Sequence, residues 1–436
     1  MSGTDSSKGG RRTLVVFYNA RYSLPLRSSN EAHLFSWKRY SRHHVLYVNV
    51  GFGVPWRLLE RLDIDAIIFD TIFLTMHWDP ALFEWRAGPC RRLRSFDCPK
   101  IAVVQDEFMH MHLVVPFLRD VGATHVLTCA DPPDWAALYG TLDQSRTSLR
   151  TALTGYVDER RLAWLRDVPR PLRDIDIGYR AWRNPYWLGE HGQQKVLVGQ
   201  KVGEAARRRG FTVDINSLDA HDFLIGDRWF EFLLRCRGVL GVEGGASVLD
   251  WDGSVRERVA DYLERHPGAT FEETRAACFP DRDHTIGLAC LSPRHFEAAM
   301  TGTCQILLEG RYNGVFEPWR HYIPVRPDYS NLDEALEAFS DHGLTEQISR
   351  RCREEIVESG RWSYRSFVQD IEETIVEAPP VVARRLPFVQ DLCRQLLHWR
   401  EQVVWRFANF EARTKPGSSF AVRYLLAEGR NLLDLN

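Results

Sequence analysis

SPRHFEAAMTGTCQILLEG, residues 292–310, carries a complete change of secondary structure. Small and apolar residues gather around Glu297 and stop at Gly302, a residue suited to ending a helix. A short apolar run, Cys304–Leu308, follows as a buried strand would. The reading is a helix with Glu297 in its first turn, where the macrodipole favours a carboxylate, leading into a strand. A second helix, NLDEALEAFSD (331–341), comes after it. Helix, strand and helix in close succession predict a parallel α/β sheet covered on both faces.

The same alternation recurs along the chain. LVVFYNA (14–20), HVLYVNVG (44–51), DAIIFDT (65–71), KIAVVQDE (100–107) and THVLTCA (124–130) read as strands. SNEAHLFSWKRYS (29–41) and PWRLLERL (55–62) read as helices between them. Pro169 to Pro171 mark a linker. QKVLVGQ (194–200), FTVDIN (211–216) and GVLGVEGG (238–245) then open a second series of strands, with KVGEAARRRG (201–210) as a helix. Residues 253–290 read as a helical insertion, with a capping box at Thr270 and Glu273. The expected organisation is a disordered tail (1–12), a first Rossmann-like domain (13–168), a second (169–378) and a helical extension (379–436). The pattern LPFVQDLCRQLLHWREQVVWRF in that extension suits a helix packed across the domains, or one that contacts a membrane surface or a second copy.

The totals exclude some classes. In 436 residues the formal net charge is -2, which gives no basic excess for a nucleic-acid partner. No run approaches the ~20 apolar residues of a membrane span. The nine cysteines form no CxxC pair, so neither a disulfide framework nor a zinc site is expected. The expectation is a cytoplasmic protein, with the inner face of a membrane as a further location.

Two such domains place their strand ends across a cleft, where ligands of parallel sheets bind. A carboxylate at that edge, Glu297, can accept two hydroxyl hydrogen bonds from a ribose. The run SPRHFEAAMTGTCQIL, with EGRYNGVFEPWRHYIPV and DYSNLDEALEAF after it, resembles the donor-binding domain of GT-B glycosyltransferases of the group 1 type. The resemblance covers roughly residues 174–377, and the amino-terminal half by architecture only. It implies a GT-B fold, a nucleotide diphosphate sugar as donor substrate, no cofactor and no metal, with Glu297 on the ribose and Gly302 completing the motif. It also marks a departure. Many retaining members carry a second Glu eight positions earlier, and this chain has Ala289 there.

Other candidates follow from chemistry. The glycine-rich turn at 241–253 offers Gly244 and Gly245 as an anion nest, with Glu243 and Ser247 beside it. Arg180, Lys195 and Arg294 are the cations for a leaving diphosphate. Tyr312, Asn313 and Gly314 follow a strand end where the donor sugar would sit, and His321 stands near. In the first domain, QDEFMHMH (105–112) offers Asp106 or Glu107 as general base on an acceptor hydroxyl. Its two histidines and acids are a weak metal candidate, because i,i+2 spacing separates the imidazoles. Asn19 and Arg21 are placed in the same cleft. The expected reaction is sugar transfer to a glycan, lipid-linked or protein acceptor in bacterial polysaccharide or glycoconjugate synthesis. A sugar-nucleotide epimerase and an inactive binding scaffold of the same architecture are the alternatives.

Overall fold

The structure, a computed structural model, describes residues 11–20, 26–181, 183–216, 224, 226–377 and 385–414. The first sheet is built from β1 (Thr13–Tyr18), β2 (His44–Asn49), β3 (Ala66–Phe69), β4 (Lys100–Val103), β5 (His125–Thr128) and β6 (Ser148–Thr151). All pairings are parallel, in the order β2-β1-β3-β4-β5-β6. The second sheet contains β7 (Ile175–Arg180), β8 (Val213–Asn216), β9 (Cys236–Gly241), β12 (Cys304–Leu308) and β13 (Ile323–Val325). It too is parallel, in the order β13-β12-β9-β7-β8. Strands β10 (Gly244–Ala246) and β11 (Leu288–Cys290) form a separate antiparallel ribbon. The fold class is thus α/β with two Rossmann-like sheets. Each reverses its winding once, between β1 and β3 and between β7 and β9, and these switch points are where such sheets open crevices for ligands.

Two readings of the second domain are corrected. QKVLVGQ is no strand. It lies inside the helix Gly189–Arg208, whose buried residues Gly192, Gln193, Val198, Gly199, Val202 and Gly203 recur at helical spacing. Its three consecutive apolar residues imitate a strand, but small glycines on the same face are what let the helix approach the sheet. The true first strand of this domain is Ile175–Arg180, within the stretch taken to follow a linker. The edge strand β6 also escaped the sequence reading, since its residues are half-exposed and carry no apolar alternation.

The first domain recruits its core from three distant places. Val255, Val259, Cys278 and Phe279, from the helices Ser254–Arg265 and Phe271–Cys278, pack in one cluster with Val15, Phe17 and Phe69 of the first sheet. The predicted insertion is therefore an arm clasping the first domain, and the capping box at Thr270 and Glu273 is present. Met109 pairs with Asp250 in an isolated parallel bridge along this seam. On the opposite face, Tyr364, Phe367, Val368 and Ile371 of the helix Tyr364–Glu377 pack with Leu14 and Val16. The chain then runs as the helix Pro387–Thr414 along β2. Its buried Glu401 lies within 3.2 Å of the Tyr18 hydroxyl and accepts from the Asn49 amide at 3.3 Å. Among the described residues no helix is long and apolar enough to cross a membrane.

Candidate functional site

The helix of the opening stretch spans Pro293–Thr301. Proline at its first position needs no amide partner, and Gly302 ends it at φ 66°, a left-handed cap that a β-carbon would strain. The helix starts at Pro293, so Glu297 sits one turn inside it rather than in the expected first turn, and gains little from the helix terminus. Its orientation comes from elsewhere. Trp229, on the helix Asp227–Arg235, donates its indole N–H to Glu297 Oε2 at 2.7 Å. Burial raises the Glu297 carboxyl above its ordinary value, against the stabilising Trp229 hydrogen bond and the Arg294 charge. A cavity of about 20 Å³ opens beside it, and Ser28, Ser29 and Tyr364 from the first-domain side line it together with Asp158 and Arg161.

Arg294, whose charge acts on Glu297, also acts on Lys195. Lys195 projects from the helix Gly189–Arg208, and its backbone carbonyl accepts from the Tyr179 hydroxyl at 3.0 Å. Among the described residues its ammonium has no hydrogen-bonding or ion-pair partner. Desolvation pulls the Lys195 ammonium down to about 8, with the Arg294 charge adding to the fall and the Asp106 charge opposing it. Arg294 donates to the Arg180 carbonyl and stacks over the Trp229 ring at 5.1 Å. It too has no carboxylate within salt-bridge distance among the described residues. Arg180 is different. It pairs with Asp214 at 2.8 Å and stacks on Phe232 at 4.4 Å, so its charge is already answered within the second domain.

Asp106, on the first domain, is near enough for its charge to act on Lys195. It follows β4 in a left-handed conformation, φ 58°, which aims its side chain out of the strand direction. Trp78 donates to its Oδ2 at 2.9 Å, which fixes the carboxylate and leaves Oδ1 open. The carboxylate is half-buried, and its charge opposes the fall at Lys195.

Other sequence candidates serve the scaffold instead. Glu107 is fully buried and accepts from the Thr128 and Tyr139 hydroxyls and, at 2.9 Å, from the Cys129 amide. Burial pushes its carboxyl up to about 7, against those three donors. No acceptor can reach it. Glu243 accepts from the backbone amides of Arg311 at 3.1 Å and Tyr312 at 2.7 Å, so it shapes the loop after β12 rather than touching a sugar. Gly244 and Gly245 lie in the ribbon with Cys290 and Ala289 opposite, and at φ 117° a β-carbon on Gly245 would strike the Leu288 carbonyl. They form no anion nest. Ser247 bonds Asp283 at 2.6 Å and receives the His191 amide at 3.2 Å, and it is buried.

Tyr312 is a core residue whose hydroxyl donates to the Leu308 carbonyl at 2.6 Å. Asn313 is half-buried and accepts from the Leu291 amide at 2.8 Å, while Gly314 is exposed at φ 70°. His321 is buried between the Glu317 amide and Glu355, each at 3.0 Å. The rings of His110 and His112 meet edge to face at 5.8 Å, while their Nδ1 atoms turn to the carbonyls of His77 and Trp251 along the seam. Asn19 is buried at the end of β1, and Arg21 lies outside the described residues. Among the described residues, ligand-type atoms of Glu190, Asp283 and His284 come within 4.8 Å of one another.

Sequence reading missed Trp229 and His191. Trp229 is distant in sequence and reaches Glu297 only through the packing of two helices. His191 stands one turn before Lys195, with its Nε2 3.1 Å from the Gly244 carbonyl, and once the stretch is known to be helical the i,i+4 spacing would have shown the pair.

No family model and no curated protein matches the sequence. Solved structures similar in outline include HepE of Anabaena in complex with UDP-glucose, at 11% identity over 84% of this chain and 100% of that one, with a TM-score of 0.42. An alpha-glucosyltransferase in complex with UDP aligns at 10% identity over 84% and 100%, with a TM-score of 0.48. Sucrose-phosphate synthase from Thermosynechococcus elongatus aligns at 9% identity over 84% and 99%, with a TM-score of 0.44.

Proposed function

We propose that the protein is a glycosyltransferase that moves a sugar from a nucleotide diphosphate donor to an acceptor hydroxyl. One observation carries the reading: two cations of the second domain, Lys195 and Arg294, lack a carboxylate partner among the described residues, and Asp106 of the first domain is near enough for its charge to act on Lys195. An ammonium withdrawn from water without a counter-ion is costly unless a ligand supplies the charge. A diphosphate supplies it, and the same cations then stabilise the charge that develops on the leaving group. Glu297, with Oε1 open beside the cavity, takes the ribose hydroxyls. Asp106 removes the proton from the attacking acceptor hydroxyl. The acceptor is a glycan, a lipid-linked sugar or a protein, drawn from polysaccharide or glycoconjugate synthesis.

The cavity at Glu297 is about 20 Å³, room for one water. Donor entry therefore requires Ser28 and Ser29 to draw away from Pro293 and Glu297. A thermal-shift panel of UDP, GDP, CMP and dTDP sugars, followed by assay of released nucleoside diphosphate with candidate acceptors, tests the reading. A ligand at a hundredfold excess over its dissociation constant adds about 2.7 kcal/mol of apparent stability. If no nucleotide shifts the melting temperature of the parent, or if the shift persists in Glu297→Ala and Arg294→Ala, the donor-site assignment fails.

A further inference from the structure

The helix Pro387–Thr414 has two apolar faces. Cys393, Leu397, Val404 and Ala408 are buried against the first domain. Away from them runs a second stripe, from Phe388 to Phe410, whose members are spaced four, four, three, four, four and three residues apart. At 100° per residue that spacing keeps them on one face, about 33 Å long. Phe388 is 75% exposed, Trp399 65% and Phe410 62%. Phe407 meets the edge of Phe52 at 5.9 Å and is still 48% exposed. At 150–250 Å² per aromatic side chain, the four aromatics leave about 500 Å² of apolar surface in water. That already matches the largest patch of a typical monomer, and the aliphatic members raise it toward the roughly 800 Å² per partner of a standard interface.

The order of the residues says what covers it. Counted from Trp399, Phe388 lies eleven residues before and Phe410 eleven after. Leu392 lies seven before and Phe407 eight after, and Leu396 three before and Val403 four after. The stripe is self-complementary when reversed, as an isologous two-fold contact demands. Laid antiparallel on its own copy, it sets Phe388 against Phe410, Leu392 against Phe407 and Leu396 against Val403, with Trp399 on the axis. The polar margin agrees. Asp391, eight before, and Arg406, seven after, flank the same edge of the stripe. Asp391 is 65% exposed beyond its own Arg394 contact, and the exposed Arg406 has no acidic partner among the described residues. Reversal brings each Arg406 to the other copy's Asp391.

We infer that this face is a homodimer interface, two copies joined antiparallel along Pro387–Thr414 about an axis at Trp399. Light scattering and sedimentation of the full chain at micromolar concentration are expected to give twice the 50.5 kDa chain mass. Trp399→Glu should yield a monomer with unchanged circular dichroism. Arg406→Asp should weaken the dimer at least tenfold, and the double variant Asp391→Arg, Arg406→Asp should restore it. The two-fold axis makes a sharper demand. Trp399→Cys should cross-link to itself under mild oxidation. Phe388→Cys and Phe410→Cys should do so only when mixed, and eight of the nine native cysteines are buried and out of reach. A parent chain that stays monomeric overturns the proposal. So does a dimer untouched by these substitutions, a monomer that pairs only once residues 415–436 are removed, or a monomer that sediments with phosphatidylserine vesicles through this stripe.

Discussion

Replacing Lys195 by Met should change two measurements in opposite directions. In the folded protein the ammonium titrates at about 8, against an ordinary value of 10.5, with desolvation the larger cause and Arg294 the second. At about 1.4 kcal/mol per tenfold change in acidity, charging it in the fold costs at most about 3 kcal/mol. The side chain retains some solvent contact, so screening reduces this to about 1–2 kcal/mol. Between pH 8 and 10.5 the unfolded chain binds more protons than the folded one, and stability from this group rises with pH. Below pH 8 the full penalty applies. Lys195→Met removes it, and at pH 7 the free variant should melt about 2–8 °C higher than the parent, on about 2–4 °C per kcal/mol for a domain of this size. The gain should vanish above pH 10. A bound diphosphate favours the protonated lysine, so in the parent nucleotide affinity should fall as pH rises through about 8. In Lys195→Met that dependence should disappear and the nucleotide-induced melting shift should shrink. Melting curves from pH 6.5 to 10.5, with and without nucleoside diphosphates, read both effects. A variant that melts lower than the parent at pH 7 while keeping its nucleotide shift would refute the assignment of Lys195 as an uncompensated cation.

Glu297→Gln keeps the acceptor for Trp229 and removes the charge; nucleotide affinity measured by calorimetry should drop about tenfold, in line with the ~1.5–3 kcal/mol of a charged hydrogen bond. Asp106→Asn retains both the Trp78 hydrogen bond and a residue type that tolerates positive φ; transfer rate should fall by about 10²-fold or more with donor affinity unchanged, and loss of binding instead would move Asp106 out of the base role. Glu107→Ala strands three buried donors and should lower stability in urea titration by about 3–5 kcal/mol, with nucleotide binding preserved in the folded fraction. Gly302→Ala forces a β-carbon into a left-handed cap at φ 66° and should cost about 1 kcal/mol in the same titration.

Five strands of the first sheet were legible because each is a short, largely buried β-rich run, as Leu14–Tyr18 and Ala66–Phe69 show, and the sixth, half-exposed, was not. In the second domain the same cue misled. Val196-Leu197-Val198 is as apolar as a strand, and only the glycine spacing at 192, 199 and 203 betrays a helix. The membership of the core was not legible at all. Whether Val255 and Val259 belong to a loose insertion or to the first domain depends on the turn at Asp250, where Asp250 donates its amide to the Phe108 carbonyl at 2.7 Å across the seam. The site was readable in part. Arg294 lies close enough for its charge to act on both Glu297 and Lys195, and Asp106 close enough to act on Lys195, whereas Glu107, Glu243, Tyr312 and His321 share residue type and strand-end position with a site but are turned inward. Sequence adjacency hides that difference: Asp106 and Glu107 are consecutive, and the left-handed backbone at Asp106 sends one side chain to the cleft and leaves the other in the core.

The same geometry bears on Ala289. The structure pairs Ala289 with Gly245 in the ribbon, so that position is part of a backbone ladder. Glu243 is the nearest acid by sequence logic, yet both of its oxygens are engaged by the amides of Arg311 and Tyr312. Releasing one would unmake the loop behind β12. Asp106, on the first domain, is held by Trp78, and Glu297, on the second, by Trp229. Under the proposed reading Glu297 serves the nucleoside and Asp106 the proton transfer. A site with one base and two cations derives its rate from leaving-group stabilisation by Lys195 and Arg294 and from correct approach of the two domains, rather than from a pair of carboxylates sharing the work.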